Sequence, residues 1–205
     1  LGVLGARRGL SFARSAKDNN SGQFDLVSIC DYSSSKIEKA AKDFNVEFYS
    51  DYNDLLDSGI DAVVLANFFH QHTPFAVRAM ESGKHVLSET IPAGTMAEAV
   101  KLCETVEETR MTYMFAENYP FTKIGLAMKK EFESGTLGDI VYAEGEYIHP
   151  IEPAKFNEIS PGIDHWRNWI PSTYYSTHSL APLMFMTGLK PIRVNALSIA
   201  NDKVS

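Results

Sequence analysis

The sequence feature that most constrains the fold is a regular alternation of short apolar segments with helical segments over the first 118 residues. The segment DAVVLAN at positions 61–67 is a continuous apolar run, as in a parallel strand that is buried on both faces. Parallel neighbours need a crossover connection, which is usually a helix. The alternation therefore predicts an α/β domain with a doubly wound parallel sheet over residues 1–118. Its six predicted strands cover residues 1–4, 24–31, 47–48, 61–67, 84–89 and 112–118.

Short polar patterns predict where helices of this domain begin. Ser35 and Glu38 have the spacing of a capping box, and so do Thr95 and Glu98. Pro74 is predicted at the first position of the helix after the fourth strand, where its missing N–H costs nothing. The helix after Thr95 carries an apolar set at helical spacing, which predicts its buried face. This set is Met96, Val100, Cys103 and Val106.

The pattern changes at residue 119, which predicts a second domain over residues 119–205. Helices are predicted at residues 123–134 and after Tyr175. Alternating apolar and polar residues at 139–150 and an apolar run at 192–200 predict strands of an open, mostly antiparallel sheet in an α+β domain. The sheet is unfinished at the end of the sequence, and the sequence starts inside a strand without Met. We therefore expect a fragment of a longer protein, with its second domain truncated.

Composition excludes some function classes. The formal net charge of −7 disfavours a nucleic-acid partner, because phosphate binding depends on clustered Lys and Arg. The 205 residues contain no secretory signal pattern and no apolar segment of membrane length. Cys30 and Cys103 lack the spacing of metal ligands. We expect a cytoplasmic protein with reduced cysteines, no metal and no membrane association.

The stretch LGARRGLSFA at residues 4–13 has the pattern of a dinucleotide-binding turn, with one departure. Gly5 provides the tight turn and Gly9 allows close packing of helix on strand, whereas Arg7 replaces the usual middle glycine. Asp31 follows 22 residues after Gly9, where a carboxylate binds ribose hydroxyls and disfavours the 2′-phosphate of NADP. The pattern predicts NAD binding. The alternative is a flavodoxin-like sheet with a glycine turn and no nucleotide.

HVLSETIPAGTMAEA and AENYPF, at residues 85–99 and 116–121, resemble the Gfo/Idh/MocA family of NAD(P)-dependent, mostly sugar-directed enzymes. The resemblance implies an N-terminal dinucleotide domain and a C-terminal open-sheet domain that covers the nicotinamide. It also implies a homo-oligomer that associates through the C-terminal sheet. Ten positions are the candidates for NAD contacts: Gly5, Arg7, Arg8, Gly9, Asp31, Asn67, Phe69, His72, Glu89 and Asn118.

Two departures from the family pattern bear on the reaction. The usual Glu-Lys-Pro reads Glu89-Thr90-Ile91-Pro92, so the lysine that contacts nicotinamide and substrate is absent. The usual Asp-x-x-x-His reads Tyr174-Tyr175-Ser176-Thr177-His178, which keeps the histidine and loses the aspartate. EGEYIHP, HWRNW and YYSTHSLAP resemble segments of the NAD-dependent α-N-acetylgalactosaminidase-type branch of the family. That resemblance implies sugar contacts from Tyr147, Arg167, Tyr175 and His178.

Removing a hydride from a sugar carbon requires a base for the hydroxyl proton, and imidazole suits that task near neutral pH. His178 is the candidate base, and Tyr175 could share the proton relay. Arg167 stands between Trp166 and Trp169, where it could hold sugar hydroxyls, and His149 could face the sugar from a loop. The structural alternatives are a core histidine, packing tyrosines and a surface cation over an aromatic ring.

Three functions fit the sequence. The first is an NAD-dependent oxidoreductase that acts on a sugar or sugar derivative. The second is a redox-neutral NAD-dependent glycosidase, in which oxidation, elimination, water addition and re-reduction follow one another. The third is a sugar or nucleotide sensor without catalysis. Hydride transfer is common to the first two, so oxidoreductase chemistry is the primary hypothesis.

Overall fold

The chain divides into two compact units, Leu1–Ala116 and Glu117–Ser205. The structure is a computed structural model, and each unit is described separately. The residues that it describes are 1–18, 22–160, 162, 165–168 and 170–197.

The first unit is built on a six-stranded parallel sheet with the order β3-β2-β1-β4-β5-β6. The chain order reverses between β1 and β4, which is where ligands bind in doubly wound sheets. The predicted parallel sheet is therefore confirmed. Its strands are β1 (Gly2–Leu4), β2 (Ser28–Cys30), β3 (Glu47–Tyr49), β4 (Ala62–Leu65), β5 (His85–Ser88) and β6 (Tyr113–Phe115).

Helices connect these strands. Thr95 caps the last helix of this unit, and the predicted capping box with Glu98 is present in both directions. A short helix after Asp51 was not predicted; the Asp51 carboxylate caps it by accepting from the Asn53 N–H. The helices are α1 (Gly9–Lys17), α2 (Ser34–Phe44), α3 (Tyr52–Asp57), α4 (His72–Glu81) and α5 (Met96–Thr109).

Strand β4 separates two hydrophobic clusters. Val63 and Leu65 belong to one cluster with Leu55 and Met80, whereas Val64 belongs to the other. Successive side chains of a strand point to opposite faces, so a run of apolar residues is what a sheet covered on both faces requires.

Three details of the helix predictions are wrong. Helix α2 begins one residue before Ser35, and α4 begins two residues before Pro74. The expected buried face of α5 is largely solvent-exposed, with 80% exposure at Met96. Leu102 and Thr105 are buried instead, because α5 packs against α4 with a different face from the one that its apolar residues mark. Of the predicted stripe, Val106 packs against the core, whereas Met96, Val100 and Cys103 are exposed.

The second unit is mainly helical in its described residues. Three α-helices and several short 3₁₀ turns form it, and the predicted helices at 123–134 and after Tyr175 are confirmed within one residue. In the part of the chain that the structure describes, no helix has both the length and the apolar character to cross a membrane. The helices are α6 (Lys123–Glu133), α7 (Pro153–Ile159) and α8 (Ser176–Thr187).

The strand predictions in this unit are not confirmed in the described residues. Residues 139–150 run without strand pairing, and so do residues 192–197; residues 198–200 lie outside the described part. The alternation at 139–150 marks one face as apolar, but Val141 is 96% exposed. A strand exists only when its N–H and C=O groups pair with a neighbour, and no described segment pairs with this one.

Candidate functional site

The turn after β1 requires glycine at two of its predicted positions. Gly5 has φ of 104°, and a Cβ atom there would lie 2.5 Å from the Ala66 carbonyl oxygen. A Cβ atom at Gly9 would lie 2.6 Å from Cγ1 of Val3. Helix α1 thus starts against the strand, and its N-cap residue Arg8 provides no side-chain cap. Arg7, in place of the middle glycine, is exposed.

Asp31 joins this turn to the end of β2. Its Oδ2 accepts from the Ala6 N–H at 2.7 Å, and its Oδ1 accepts from the Ser33 N–H at 2.9 Å. A carboxylate oxygen can accept more than one hydrogen bond. The two backbone bonds therefore orient Asp31 and leave it able to accept from ribose hydroxyls.

Glu89 is held by its own chain at the end of β5. Its side chain is 14% exposed and pairs with Arg8 Nε, which lies beside the glycine turn. The other carboxylate oxygen accepts from the Thr90 N–H at 2.9 Å and from its hydroxyl at 3.0 Å. Thr90 thus binds Glu89 as a neutral partner, and Arg8 supplies the positive charge.

The segment after β4 places one predicted contact residue at the site and others in the interior. Both polar side-chain atoms of Asn67 are buried without a hydrogen-bond partner among the described residues. Phe69 is 2% exposed and belongs to the interior, whereas its neighbour Phe68 is half exposed. The structure therefore does not bring the Phe69 ring to the surface of the site.

His72 is also buried, between two backbone carbonyls. Its Nδ1 lies 2.8 Å from the Ile91 oxygen and its Nε2 lies 3.3 Å from the Asn67 oxygen. Burial lowers the pKa of His72, so the ring is neutral near pH 7 and has one N–H to donate. The shorter distance assigns that N–H to Ile91. His72 connects the segments that follow β4 and β5.

These residues of the first unit fit a dinucleotide. The two glycines let the turn and the start of α1 pack closely on β1 and on the segment after β4, and the unpartnered Asn67 amide needs hydrogen bonds that a ligand can supply. The start of α1 offers backbone N–H groups and a helix dipole that favour phosphate. Gly5, Gly9, Asp31, Asn67 and Glu89 all follow the carboxyl ends of strands, the edge where such ligands bind.

In the second unit, His178 pairs with a carboxylate that the sequence analysis missed. Its Nδ1 lies 2.8 and 2.9 Å from the two Glu117 carboxylate oxygens, and both side chains are more than 90% buried. An ionised carboxylate only accepts, so Nδ1 carries a proton and donates it to Glu117. In the neutral form of the imidazole, the lone pair is then on Nε2.

Tyrosine rings surround this pair. The Tyr119 ring stacks on His178 with centroids 4.5 Å apart, and the Tyr147 ring meets His178 edge-on at 4.6 Å. Tyr175 stacks on Tyr147 at 5.7 Å and lies 5.6 Å from His178. Burial is the main cause that raises the pKa of Tyr147 to about 12, so this phenol is neutral at working pH.

Arg167 adds a cation to the same group of rings. Its guanidinium carbon lies 4.4 Å from the centre of the Trp166 ring and 5.4 Å from that of Tyr175. His149 is exposed and its ring centre lies 5.9 Å from that of Tyr147. The structure therefore brings together His178, Tyr175, Tyr147 and Arg167, with His149 at the margin. Trp169 lies outside the described residues.

The remaining predicted position, Asn118, is exposed, and its backbone oxygen accepts from the Phe121 N–H at 3.1 Å. Glu117 and Tyr119, on either side of it, are the site residues that sequence reasoning missed. A signal existed for Glu117: a carboxylate directly after an apolar strand is expensive to bury without a partner. No sequence pattern indicated that its partner lies 61 residues away.

Comparison with known proteins gives consistent matches. The sequence model of an oxidoreductase family with an NAD-binding Rossmann fold, GFO_IDH_MocA, matches residues 1–117. An alpha-N-acetylgalactosaminidase from Bacteroides fragilis is 35% identical over 130 residues, which are 60% of this chain and 31% of that protein. A glycosyl hydrolase family 109 protein from Shewanella sp. strain ANA-3 is 30% identical over 174 residues, which are 77% and 38% of the two chains.

Solved structures share the fold at lower identity. The scyllo-inositol dehydrogenase of Lactobacillus casei, solved with NAD(H) and scyllo-inositol, superposes with a TM-score of 0.80 at 20% identity. The match covers 91% of this chain and 55% of that one. Myo-inositol 2-dehydrogenase of Lactobacillus plantarum superposes with a TM-score of 0.75 at 22% identity. That match covers 91% of this chain and 56% of the dehydrogenase chain. The chain thus spans about a third of these curated relatives and about half of these solved chains.

Proposed function

Because this chain belongs to the Gfo/Idh/MocA oxidoreductase family, whose NAD-binding Rossmann fold covers residues 1–117, we propose that it is an NAD-dependent oxidoreductase of sugars or sugar derivatives. NAD is the cofactor of this fold. The observation that carries the proposal is the buried pair of His178 and Glu117, joined at 2.8 Å among tyrosine rings. A histidine held in this way is suited to proton transfer at Nε2.

Residues 1–118 form the cofactor domain in this proposal. Backbone N–H groups at the start of α1 take the pyrophosphate, with Arg7 and Arg8 near it, and Asp31 takes the ribose hydroxyls. Asp31 would repel a 2′-phosphate, which favours NAD over NADP. NAD, when bound, supplies a site that accepts a hydride and returns it. Asn67, Glu89 and Asn118 complete the contacts with side chains, while Gly5, Gly9, Phe69 and His72 shape the backbone around them.

Residues 119–205, together with Glu117, supply the substrate side. His178 takes the proton of a sugar hydroxyl at Nε2, and Glu117 balances the positive charge that appears on the ring. Tyr175, beside His178, relays the proton. Tyr147, His149 and Arg167 bind the sugar, because aromatic faces pack against its C–H groups and the guanidinium donates to its oxygens.

A redox-neutral glycosidase is the second candidate. The observation that favours it is the identity of 30–35% to proteins named alpha-N-acetylgalactosaminidase and glycosyl hydrolase family 109. The same proton transfer at His178 serves this reaction, in which the sugar is oxidised, loses its leaving group by elimination, adds water and is reduced again. The arrangement of His178 and Glu117 supports either outcome.

One experiment separates the candidates. The full-length protein is incubated with aryl glycosides and catalytic NAD in deuterated buffer. Stoichiometric NADH formed from a free sugar supports the dehydrogenase. Release of the aryl alcohol without net NADH, with deuterium at the carbon next to the oxidised one, supports the glycosidase. If neither occurs and the protein still binds NAD and sugar, it is a sensor.

We also propose that residues 139–150 and 192–200 belong to an open, mostly antiparallel sheet that forms when further strands are present. Their exposed apolar side chains, such as Val141, support this, because a paired sheet would bury them. Association of copies through that sheet and a cytoplasmic location complete the proposal. Size-exclusion chromatography with light scattering tests the association.

A further inference from the structure

We infer that Tyr119 is a positioning residue for His178, which holds the imidazole by its ring and the carboxylate partner by its backbone. The inference rests on the proposed role of His178 as the proton-transfer group. Tyr119 lies in the turn after Glu117, and none of the sequence patterns assigns it a role.

Two independent contacts connect Tyr119 to the pair. Its backbone N–H donates to Oε1 of Glu117 at 3.1 Å, the same oxygen that lies 2.8 Å from His178 Nδ1. Its side-chain ring stacks on the imidazole with centroids 4.5 Å apart and an angle of 29° between the planes. One residue therefore fixes the carboxylate and covers one face of the ring that the carboxylate orients.

A second tyrosine restrains the first. Tyr147 meets Tyr119 edge to face, with centroids 5.4 Å apart at 89°, and also meets His178 at 4.6 Å. Together with Tyr175, these groups contact His178 from the turn after Glu117, from the segment before α7 and from the residue before α8. Because Nδ1 is hydrogen-bonded and the ring is packed against tyrosine rings, the imidazole cannot rotate about its Cβ–Cγ bond to exchange the positions of Nδ1 and Nε2.

The stacked ring affects the charged form more than the neutral form. The face of a tyrosine ring is negative, so it attracts an imidazolium, and the attraction grows when water is excluded. In the proposed role, His178 becomes an imidazolium when it takes the substrate proton. Tyr119 therefore stabilises the state that follows proton transfer and acts mainly on kcat, with little effect on substrate binding.

The test compares Tyr119→Leu with Tyr119→Phe in the full-length protein. Leu removes the ring and keeps the backbone N–H, whereas Phe keeps both and removes only the hydroxyl. We expect Tyr119→Leu to lower kcat about 10- to 30-fold with KM within about threefold, and Tyr119→Phe to stay within about threefold of wild type. Tyr142→Leu, at an exposed tyrosine of the same unit, is the matched control and should leave kcat unchanged.

A spectroscopic readout does not depend on activity. A ring stacked on His178 shields its Cε1 proton, so this NMR signal should move downfield in Tyr119→Leu and stay in place in Tyr119→Phe. His178→Ala identifies the signal by its loss. Equal kcat and equal signal positions in the Leu and Phe variants would overturn the inference. Failure of the proposed function looks different: His178→Ala itself would then leave turnover unchanged, although the Leu and Phe spectra still differ.

Discussion

Glu117 Oε1 lies 2.8 Å from His178 Nδ1, and both side chains are buried. The contact gives His178 a carboxylate partner although the aspartate of the usual family pattern is replaced by Tyr174. A buried carboxylate on one nitrogen of a histidine fixes the tautomer and leaves the other nitrogen as the base. We expect the functional role of His178 to depend on this contact.

The first prediction concerns the carboxylate. Glu117→Gln should lower kcat by about 10- to 1,000-fold, because a neutral amide neither fixes the proton on Nδ1 nor balances an imidazolium. NAD affinity should be unchanged. Steady-state kinetics and calorimetry check both expectations, with Glu144→Gln as the exposed control. Wild-type turnover in the Glu117→Gln variant would show that the pair is only structural.

The second prediction concerns the base. His178→Ala should lower turnover by about 10²- to 10⁴-fold, the usual range for loss of a general base, while NAD remains bound. NAD content after denaturation, measured by mass spectrometry, separates loss of chemistry from loss of cofactor. His149→Ala, at the margin of the same rings, should raise KM and change kcat less. The assignment is wrong if His178→Ala turns over like wild type.

The third prediction concerns cofactor choice. Wild-type protein should bind NAD much more tightly than NADP, because in the proposed site the Asp31 carboxylate would repel a 2′-phosphate. Asp31→Ser should reduce the difference between NAD and NADP affinity, because it removes the negative charge. Calorimetric titration with both cofactors measures this difference, and equal affinities in the wild type would contradict the prediction. Because Asp31 also accepts from Ala6 and Ser33, thermal unfolding should be monitored in parallel.

The fourth prediction separates the two arginines of the turn. Arg7→Gly should leave NAD affinity within about tenfold, or about 1.4 kcal/mol, because this position is normally a glycine. Arg8→Gln should weaken NAD binding more, because it removes the cation that pairs with the mostly buried Glu89. The NAD dissociation constants of the Arg7→Gly and Arg8→Gln variants, measured by calorimetry, are compared with each other. A larger loss in Arg7→Gly would assign the phosphate contact to Arg7.

The fifth prediction concerns pH and His72. Burial lowers the pKa of His72 in the folded state, so the unfolded chain binds a proton more readily. The stability from burying neutral His72 is present above about pH 6.5, the ordinary histidine pKa, and is lost as pH falls below it. The unfolding free energy of wild type should therefore fall more steeply from pH 7 to pH 5 than that of His72→Gln. Equal slopes in wild type and His72→Gln would contradict the prediction.

Sequence reasoning predicted the parallel sheet because its signals are local. The apolar run at Val63–Leu65, the glycine turn at Gly5 and the Thr95 capping box each depend on neighbours within a few residues. The strand predicted at 139–150 is not confirmed, because strand pairing depends on a partner segment that local sequence does not specify. The stripe on α5 failed for a related reason, since packing against α4 decides which helix face is buried.

Some residues of the candidate site could likewise be predicted from a local pattern, whereas others depend on tertiary packing. Gly5 and Gly9 follow from one short pattern, and their steric need is visible in the structure. The roles of Phe69 and His72 could not be read from spacing, because which of two adjacent side chains turns inward depends on the tertiary packing. Glu117 was missed because only the folded second unit brings it to His178.

The separation of 61 residues between Glu117 and His178 also affects the order in which activity is lost. A contact between residues so far apart in the chain exists only while α8 stays packed on α6 and on the turn after Glu117, whereas the glycine turn needs only β1, α1 and their neighbours. Mild denaturant, or a protease cut between α6 and α7, should therefore abolish proton transfer while the nucleotide is still held. The protein would then pass through a form that holds nucleotide but is inactive. Assays of cofactor content alone would count this form as intact enzyme.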